Sequence, residues 1–156
     1  MSVNNVTRFL DSREIEYAVF ELPSRKLGAE ETARLLKVPL ELIYKSIVVE
    51  RRGRGKPVLA VVPGNQEVDL KALARAVGEK KVTTATQARA EKLTGLQAGG
   101  ISPLALINKG FDIVLDASAG AKSEIHVSGG EWGINIRLDP EDLTRLTGAK
   151  LAAISR

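Results

Sequence analysis

Apolar positions recur first at helical and then at strand spacing along the chain. Val3, Val6, Phe9 and Leu10 fall at helical intervals, and Asn4 with Asn5 suits a helix start. Between Ile15 and Leu22 the period drops to two. Ile15, Tyr17, Val19 and Glu21 alternate with Glu16, Ala18, Phe20 and Leu22, which predicts a strand with one face better buried. Pro23 and Gly28 bracket a loop, and a helix is expected over 29–36. Pro39 precedes a helical turn over 40–44, then come a strand over 46–50, a basic hairpin turn over 51–56 and a β-branched return strand over 58–62. Asp69 is a good N-cap for a helix over 70–77 that Gly78 stops. A short strand over 81–84 leads into a helix over 85–93, ending at Thr94 and Gly95. Strands follow over 111–115, 124–127 and 134–138, with a turn starting at Ser128-Gly129-Gly130 between the last two. Asp139 and Pro140 open a final helix over 141–146, and 151–154 adds a terminal strand.

Short strands mixed with helices, two hairpins and no strict βαβ rhythm predict an α+β fold. Its expected form is a mixed, largely antiparallel curved sheet or barrel with packed helices. At 156 residues, with no repeat and no linker, one domain over 1–156 is expected. Composition adds exclusions. The chain is 44% apolar and 27% charged, which rules out a disordered tail or a fibrous repeat, and its 4% of aromatic residues leaves the core to aliphatic side chains and alanine. No apolar run approaches the roughly 20 residues needed to span a bilayer. Met1 to Asp11 lacks a basic-then-apolar leader pattern, so a cytoplasmic location with no membrane partner is the expectation. With no cysteine, disulfides, thiolate nucleophiles and cysteine zinc sites are excluded, and a single histidine excludes a histidine-rich metal site. No metal and no cofactor are expected. The net charge of 23 − 19 = +4 permits an anionic partner such as RNA without demanding one.

Three places carry candidate chemistry. Lys45 precedes the strand over 46–50 and shares a face with Ile47 and Val49. If that face is interior, its ammonium stands at a pocket rim and suits a carboxylate, a phosphate or a developing oxyanion; otherwise it is a snorkelling surface lysine. In Gly99-Gly100-Ile101-Ser102-Pro103 two glycines let backbone approach a ligand, and Pro103 suits the first position of a short helix capped by Ser102. Free amides there can receive an anion or a polarised carbonyl, although an ordinary tight turn reads the same way. No Gly-Lys-Ser/Thr follows, so the stretch is not a phosphate-binding P-loop. Third, Ser128 stands beside Gly129 and Gly130 in a turn. His126 shares a strand face with Ser128, roughly 7 Å away, too far for a Ser–His dyad. It is expected to be half-exposed and non-catalytic. Arg51, Arg52, Arg54, Lys56, Lys80, Lys81, Arg89 and Lys92 form either a phosphate-binding rim or solvated surface, with no aromatic stacking platform beside them.

In chain order, Tyr44-Lys45-Ser46, Gly99-Gly100-Ile101-Ser102-Pro103-Leu104 and Val127-Ser128-Gly129-Gly130 resemble the YbaK/EbsC family of aminoacyl-tRNA deacylases, closest to its Cys-tRNA(Pro) branch. The resemblance runs from about Leu40 to the C-terminus. It implies a fold like the editing domain of bacterial prolyl-tRNA synthetases and removal of wrong amino acids from tRNA(Pro), with prolyl-tRNA synthetase as a candidate partner. It places the family lysine at Lys45 and the Gly-x-x-Pro loop at Gly100, Ile101, Ser102 and Pro103. The pocket hydroxyls fall at Ser46 and Ser128, with Gly129 beside them. The resemblance implies that Lys45 anchors the substrate electrostatically, that Gly100 turns its amide toward the carbonyl, and that a substrate group is the nucleophile; in the Cys branch this is the substrate thiol, a lyase-type step. Ala105 stands where the Cys-specific pattern tends to have glycine, and 17–36 does not align with the family's aromatic pocket residues. The alternative function is a non-catalytic module of the same fold that docks on tRNA or a synthetase. Oligomeric state stays open.

Overall fold

Four of the five α-helices among the described residues start where a short polar side chain satisfies a free backbone N–H group. In the computed structural model, which describes residues 3–156, Asn4 caps α1 (Asn5–Ser12) in a reciprocal box with Thr7. The second helix, α2 (Ala29–Leu36), follows Gly28 without a side-chain cap. Asp69 accepts from the Ala72 amide to open α3 (Leu70–Ala76), and Thr86 accepts from the Arg89 amide to open α4 (Gln87–Thr94). That cap delays α4 to Gln87, two residues after the expected start. Asp139 accepts from the Glu141 amide to open α5 (Pro140–Thr147).

The strands form two open sheets. In the first, β1 (Tyr17–Glu21), β7 (Ile134–Leu138) and β6 (Ile125–Ser128) pair antiparallel in the order β1-β7-β6. The second has the order β4-β2-β3-β5-β8 and comprises β2 (Tyr44–Arg51), β3 (Val58–Pro63), β4 (Val82–Thr84), β5 (Asp112–Asp116) and β8 (Lys150–Ala152). β2 is antiparallel to β3 and β4, whereas β3–β5 and β5–β8 are parallel. The α+β class and mixed sheet therefore stand, with most pairings antiparallel. The barrel expectation is corrected: among the described residues the two sheets do not close on each other, and a bridge between Ile43 and His126 links them.

Alternation along β2 explains the layers. Tyr44 and Val48 join Leu59, Val61, Ile113 and Leu115 in the core between the sheets, which also takes Ile125, Val127, Ile136 and Leu138. Ile47 and Val49 join Val58, Ala60, Val62 and Val114 on the other face, beneath Leu73 and Ala74 of α3. β3 is buried along its whole length, as its unbroken apolar run suits. β1 sits at an edge, so its residues 17–20 are only half-buried, but the expected face does pack inward: Ile15, Tyr17 and Val19 lie against the core between the sheets.

Further local differences matter for the site. β2 starts at Tyr44 because Tyr44 and Lys45 already pair with Pro63 and Val62; Lys45 is thus inside the strand rather than before it. A 3-10 turn over Ala117–Ala121 follows Asp116, whose carboxylate accepts from the Ser118 and Ile154 amides. Near the C-terminus, Glu67 and Arg156 exchange two backbone hydrogen bonds of 2.9 Å, fastening the loop after β3. Among the described residues no helix is long and apolar enough to cross a membrane.

Candidate active site

The cleft arises where β2 changes neighbours. Ile43 is bridged to His126 of β6, while 49–51 pair with β4; between them the β2 edge has no paired strand among the described residues. A cleft of about 440 Å³ opens along this edge, within the range of small-molecule sites. Lys45, Ser46 and Ile47 line it from β2, Gly99 and Ile101 from the glycine-rich loop, and Ser128, Glu131 and Asn135 from the β6–β7 hairpin. Lys26 comes from the loop before α2, and Gln87 from the first turn of α4.

Strand alternation sends Lys45 and Ser46 off opposite faces of β2. The Lys45 side chain is one-quarter exposed; its Nζ lies 3.5 Å from the Gly64 carbonyl oxygen and 3.4 Å from a Glu67 carboxylate oxygen. Such a partly solvated pair holds the ammonium weakly, so an incoming anion or carbonyl can take the place of Glu67.

The loop after α4 is braced from both sides. Trp132 donates its indole N–H to the Ala98 carbonyl at 2.8 Å, and the Ala98 amide donates to Glu91 at 2.8 Å. Gly99 adopts a φ of +92°, and a Cβ there would stand 3.0 Å from Lys26 Cγ and 3.2 Å from Trp132 Nε1, so glycine is required. Gly100 is buried and donates its amide to the Gln97 carbonyl at 2.8 Å. That hydrogen bond commits the N–H expected to face the substrate carbonyl. Ser102 is fully buried and accepts the Leu104 amide, capping the 3-10 turn Pro103–Ala105, whose Pro103 is also buried. Gly100, Ser102 and Pro103 therefore shape the wall from behind, whereas Gly99 and Ile101 face the cleft.

On the hairpin, Ser128 Oγ accepts the Gly130 amide at 3.3 Å and lines the cleft. Gly129 donates to the Ile134 carbonyl, and its own carbonyl accepts from Asn4. It lies on the adjoining concavity beside α1. The structure thus brings Lys45, Ser46, Ile101 and Ser128 to one cleft and places Gly100, Ser102, Pro103 and Gly129 outside its lining.

His126 is a correction: it is buried, 3% exposed, not half-exposed. The bridge to Ile43 and the Phe20 ring, whose centroid is 5.5 Å away, cover a strand face that alternation alone marks as polar. Its Nδ1 is 2.8 Å from Asn135 Oδ1, and Asn135 rather than His126 lines the cleft. Burial pushes the His126 pKa below the usual histidine range; the Asn135 hydrogen bond opposes that shift, and the nearby Arg137 charge adds to it. Asn135, Lys26, Gln87 and Glu67 also have a place at this site and escaped sequence reading. Asn135 could have been found by its register opposite Ser128, whereas nothing local marks Lys26 or Glu67. Among the described residues no cluster of metal-binding side chains is present.

A solved structure provisionally named a trans-editing enzyme for prolyl-tRNA synthetase superposes with a TM-score of 0.79 at 27% identity, over 99% of each chain. A hypothetical protein of solved structure shares the fold, with a TM-score of 0.90 at 24% identity over 98% of this chain and 100% of its own. The profile of the family described as "Aminoacyl-tRNA editing domain" matches residues 25–146. The chain belongs to this family, in its YbaK/EbsC-type deacylase group. EbsC of Enterococcus faecalis, provisionally named a Cys-tRNA(Pro)/Cys-tRNA(Cys) deacylase, is 37% identical over 97% of this chain and 92% of its own. ProX of Acetoanaerobium sticklandii, named a prolyl-tRNA editing protein, is 24% identical over 90% of this chain and 87% of its own.

Proposed function

We propose that this protein removes the wrong amino acid from tRNA(Pro), with Cys-tRNA(Pro) as its substrate, acting apart from the synthetase. The observation that carries the reading is the open β2 edge, where Lys45, Ser46, Ile101 and Ser128 surround a cleft of about 440 Å³ in a chain of this family. The names of EbsC and of the trans-editing relative support cysteine and tRNA(Pro) as the particular choice.

An aminoacyl ester is already activated, so positioning and charge stabilisation suffice for its cleavage. The chain has no cysteine, and its single histidine is buried and outside the cleft lining. In our reading the nucleophile belongs to the substrate. The cysteinyl thiol sulfur bonds to the carbonyl carbon and the bond from that carbon to the ribose 3′ oxygen breaks. The thiol proton ends on that oxygen, releasing tRNA and a cysteine thiolactone that water then opens. Lys45 exchanges Glu67 for the developing negative charge at the ester, Ser46 and Ser128 supply hydroxyls, and Gly99 with Ile101 forms the wall against the acyl group. Gly100 sets the course of that wall by its close seat on the hairpin. A thiol-free acyl group such as alanyl has no internal nucleophile and should be cleaved slowly.

The test is a deacylation panel of Cys-tRNA(Pro), Ala-tRNA(Pro) and Pro-tRNA(Pro) with the wild-type protein and Lys45→Ala. Faster loss of cysteine than in buffer, reduced about 100-fold by Lys45→Ala with circular dichroism unchanged, is the expected result. Salt-dependent tRNA binding with no ester loss would replace this reading with a binding module.

A further inference from the structure

The cations of the cleft are not equivalent. Arg25, Lys26 and Lys45 all line it. Arg25 is paired with Glu31, its Nη1 3.0 Å from the carboxylate, and Lys45 is paired with Glu67 at 3.4 Å. Lys26 has a neutral partner: its Nζ donates to the side-chain oxygen of Gln87 at 3.0 Å. An amide orients an ammonium without cancelling its charge. Lys26 is therefore the cleft cation whose field is left for a ligand, and a concave low-dielectric wall concentrates that field.

The stem of Lys26 is also directed. Its Cα and Cγ lie against Gly99, where even a methyl group would sit 3.4 Å and 3.0 Å from them, and Gln87 fixes its tip. Behind Gly99 the Trp132–Ala98 hydrogen bond holds the wall. Lys26 thus belongs to the wall built by the glycine-rich loop and α4, while the Lys45 ammonium is held from the loop after β3.

We propose that Lys26 is the phosphate subsite of this cleft: it binds the 5′-phosphate of the terminal nucleotide while the aminoacyl ester of the same nucleotide lies beside Lys45. The inference rests on the deacylase reading and adds a second anchoring point to it. On the terminal nucleotide of a charged tRNA, the phosphate is the anion nearest to the ester, separated from it by one ribose. Two cations on different walls match those two groups. Gln87 serves as a positioning residue that keeps the Lys26 ammonium turned to the cleft.

The test uses stable amide analogues and calorimetry. The probes are 3′-deoxy-3′-(cysteinylamino)adenosine, its 5′-monophosphate, and AMP, measured against wild type, Lys26→Gln and Lys26→Arg. In the wild type the 5′-phosphate should tighten binding about fivefold over the nucleoside, a gain that shrinks as salt rises. Lys26→Gln should bring that ratio to about one, and Lys26→Arg should keep most of it. With charged tRNA the Lys26→Gln defect should appear in KM rather than kcat. An equal phosphate gain in wild type and Lys26→Gln, or no gain in wild type, overturns the assignment while leaving the cleft reading intact. AMP binding as tightly as the phosphorylated analogue overturns the link to the aminoacylated end. Failure of all three probes to bind would remove the deacylase reading together with this one.

Discussion

Gly100→Ala tests whether the buried glycine sets the cleft wall by its seat on the hairpin. A Cβ at this position would stand 3.0 Å from Glu131 Cα and 3.2 Å from its carbonyl carbon, both backbone atoms that cannot swing aside. Ordinary carbon contacts lie at about 3.5–4.0 Å, so loop and hairpin must part by about 0.5 Å. Overpacking of this kind costs about 1–3 kcal/mol, and the lower entropy of an unfolded alanine offsets about 0.4–1 kcal/mol of it. A net loss of about 1–2 kcal/mol corresponds to a fall in Tm of about 2–8 °C for a chain of this length. The displaced wall carries Gly99 and Ile101. If a misplacement of about 1 Å costs about 100-fold in rate, half of that costs about tenfold in kcat/KM. Calorimetry and Cys-tRNA(Pro) deacylation measure the two effects. Gly120→Ala is the control, because nothing lies within 4 Å of its Cβ position, and it should leave both values near wild type. An unchanged Tm together with unchanged kcat/KM for Gly100→Ala would refute the steric argument. A large activity loss at unchanged Tm would show that the added methyl group disturbs the cleft without the strain argued here.

Two further predictions concern pH and stability. The folded-state pKa of His126 is depressed, so the unfolded chain binds more protons in the window below the ordinary histidine value of 6.5. Stability should therefore fall as the pH drops from 6.5 toward the folded-state value, with a slope of at most about 1.4 kcal/mol per pH unit from this group. His126→Gln should flatten that slope in urea melts taken from pH 7 to pH 5, and an equal slope in both proteins would contradict the assignment. Burial acts to raise the Asp116 carboxyl, but hydrogen bonds from Ser118, Ile154 and Ser155 outweigh it and hold the pKa below the usual carboxylate range. Its contribution is present above the unfolded value of 3.8 and is lost as the pH falls through the folded value. Asp116→Ala should cost about 3 kcal/mol at neutral pH, read from denaturant melts, because it leaves the buried Ile154 amide without its partner. A loss below 1 kcal/mol would show that water replaces the carboxylate there.

Helices, hairpins and the short capped turn were legible because their causes lie within a few residues. Asn4, Asp69 and Asp139 bond amides two or three positions on, Ser102 does the same for the 3-10 turn, and β-branched runs on either side of 51–56 pair through a turn they carry themselves. The ordered set around Lys45, Gly100 and Ser128 was enough to point to the family. Burial and pairing over long distances were decided only by the tertiary structure. Local alternation leaves His126 on a polar strand face; Ile43, more than 80 positions away, bridges it, and the Phe20 ring lies beside it. Lys45 finds Glu67 only because the loop after β3 is fastened to the C-terminal residues, and Lys26 meets Gly99 and Gln87 only when the loop before α2 folds against α4. Neighbours in sequence determine the backbone hydrogen bonds of helix starts and hairpin turns. A side chain's charge balance and solvent access depend on segments that arrive from elsewhere in the chain.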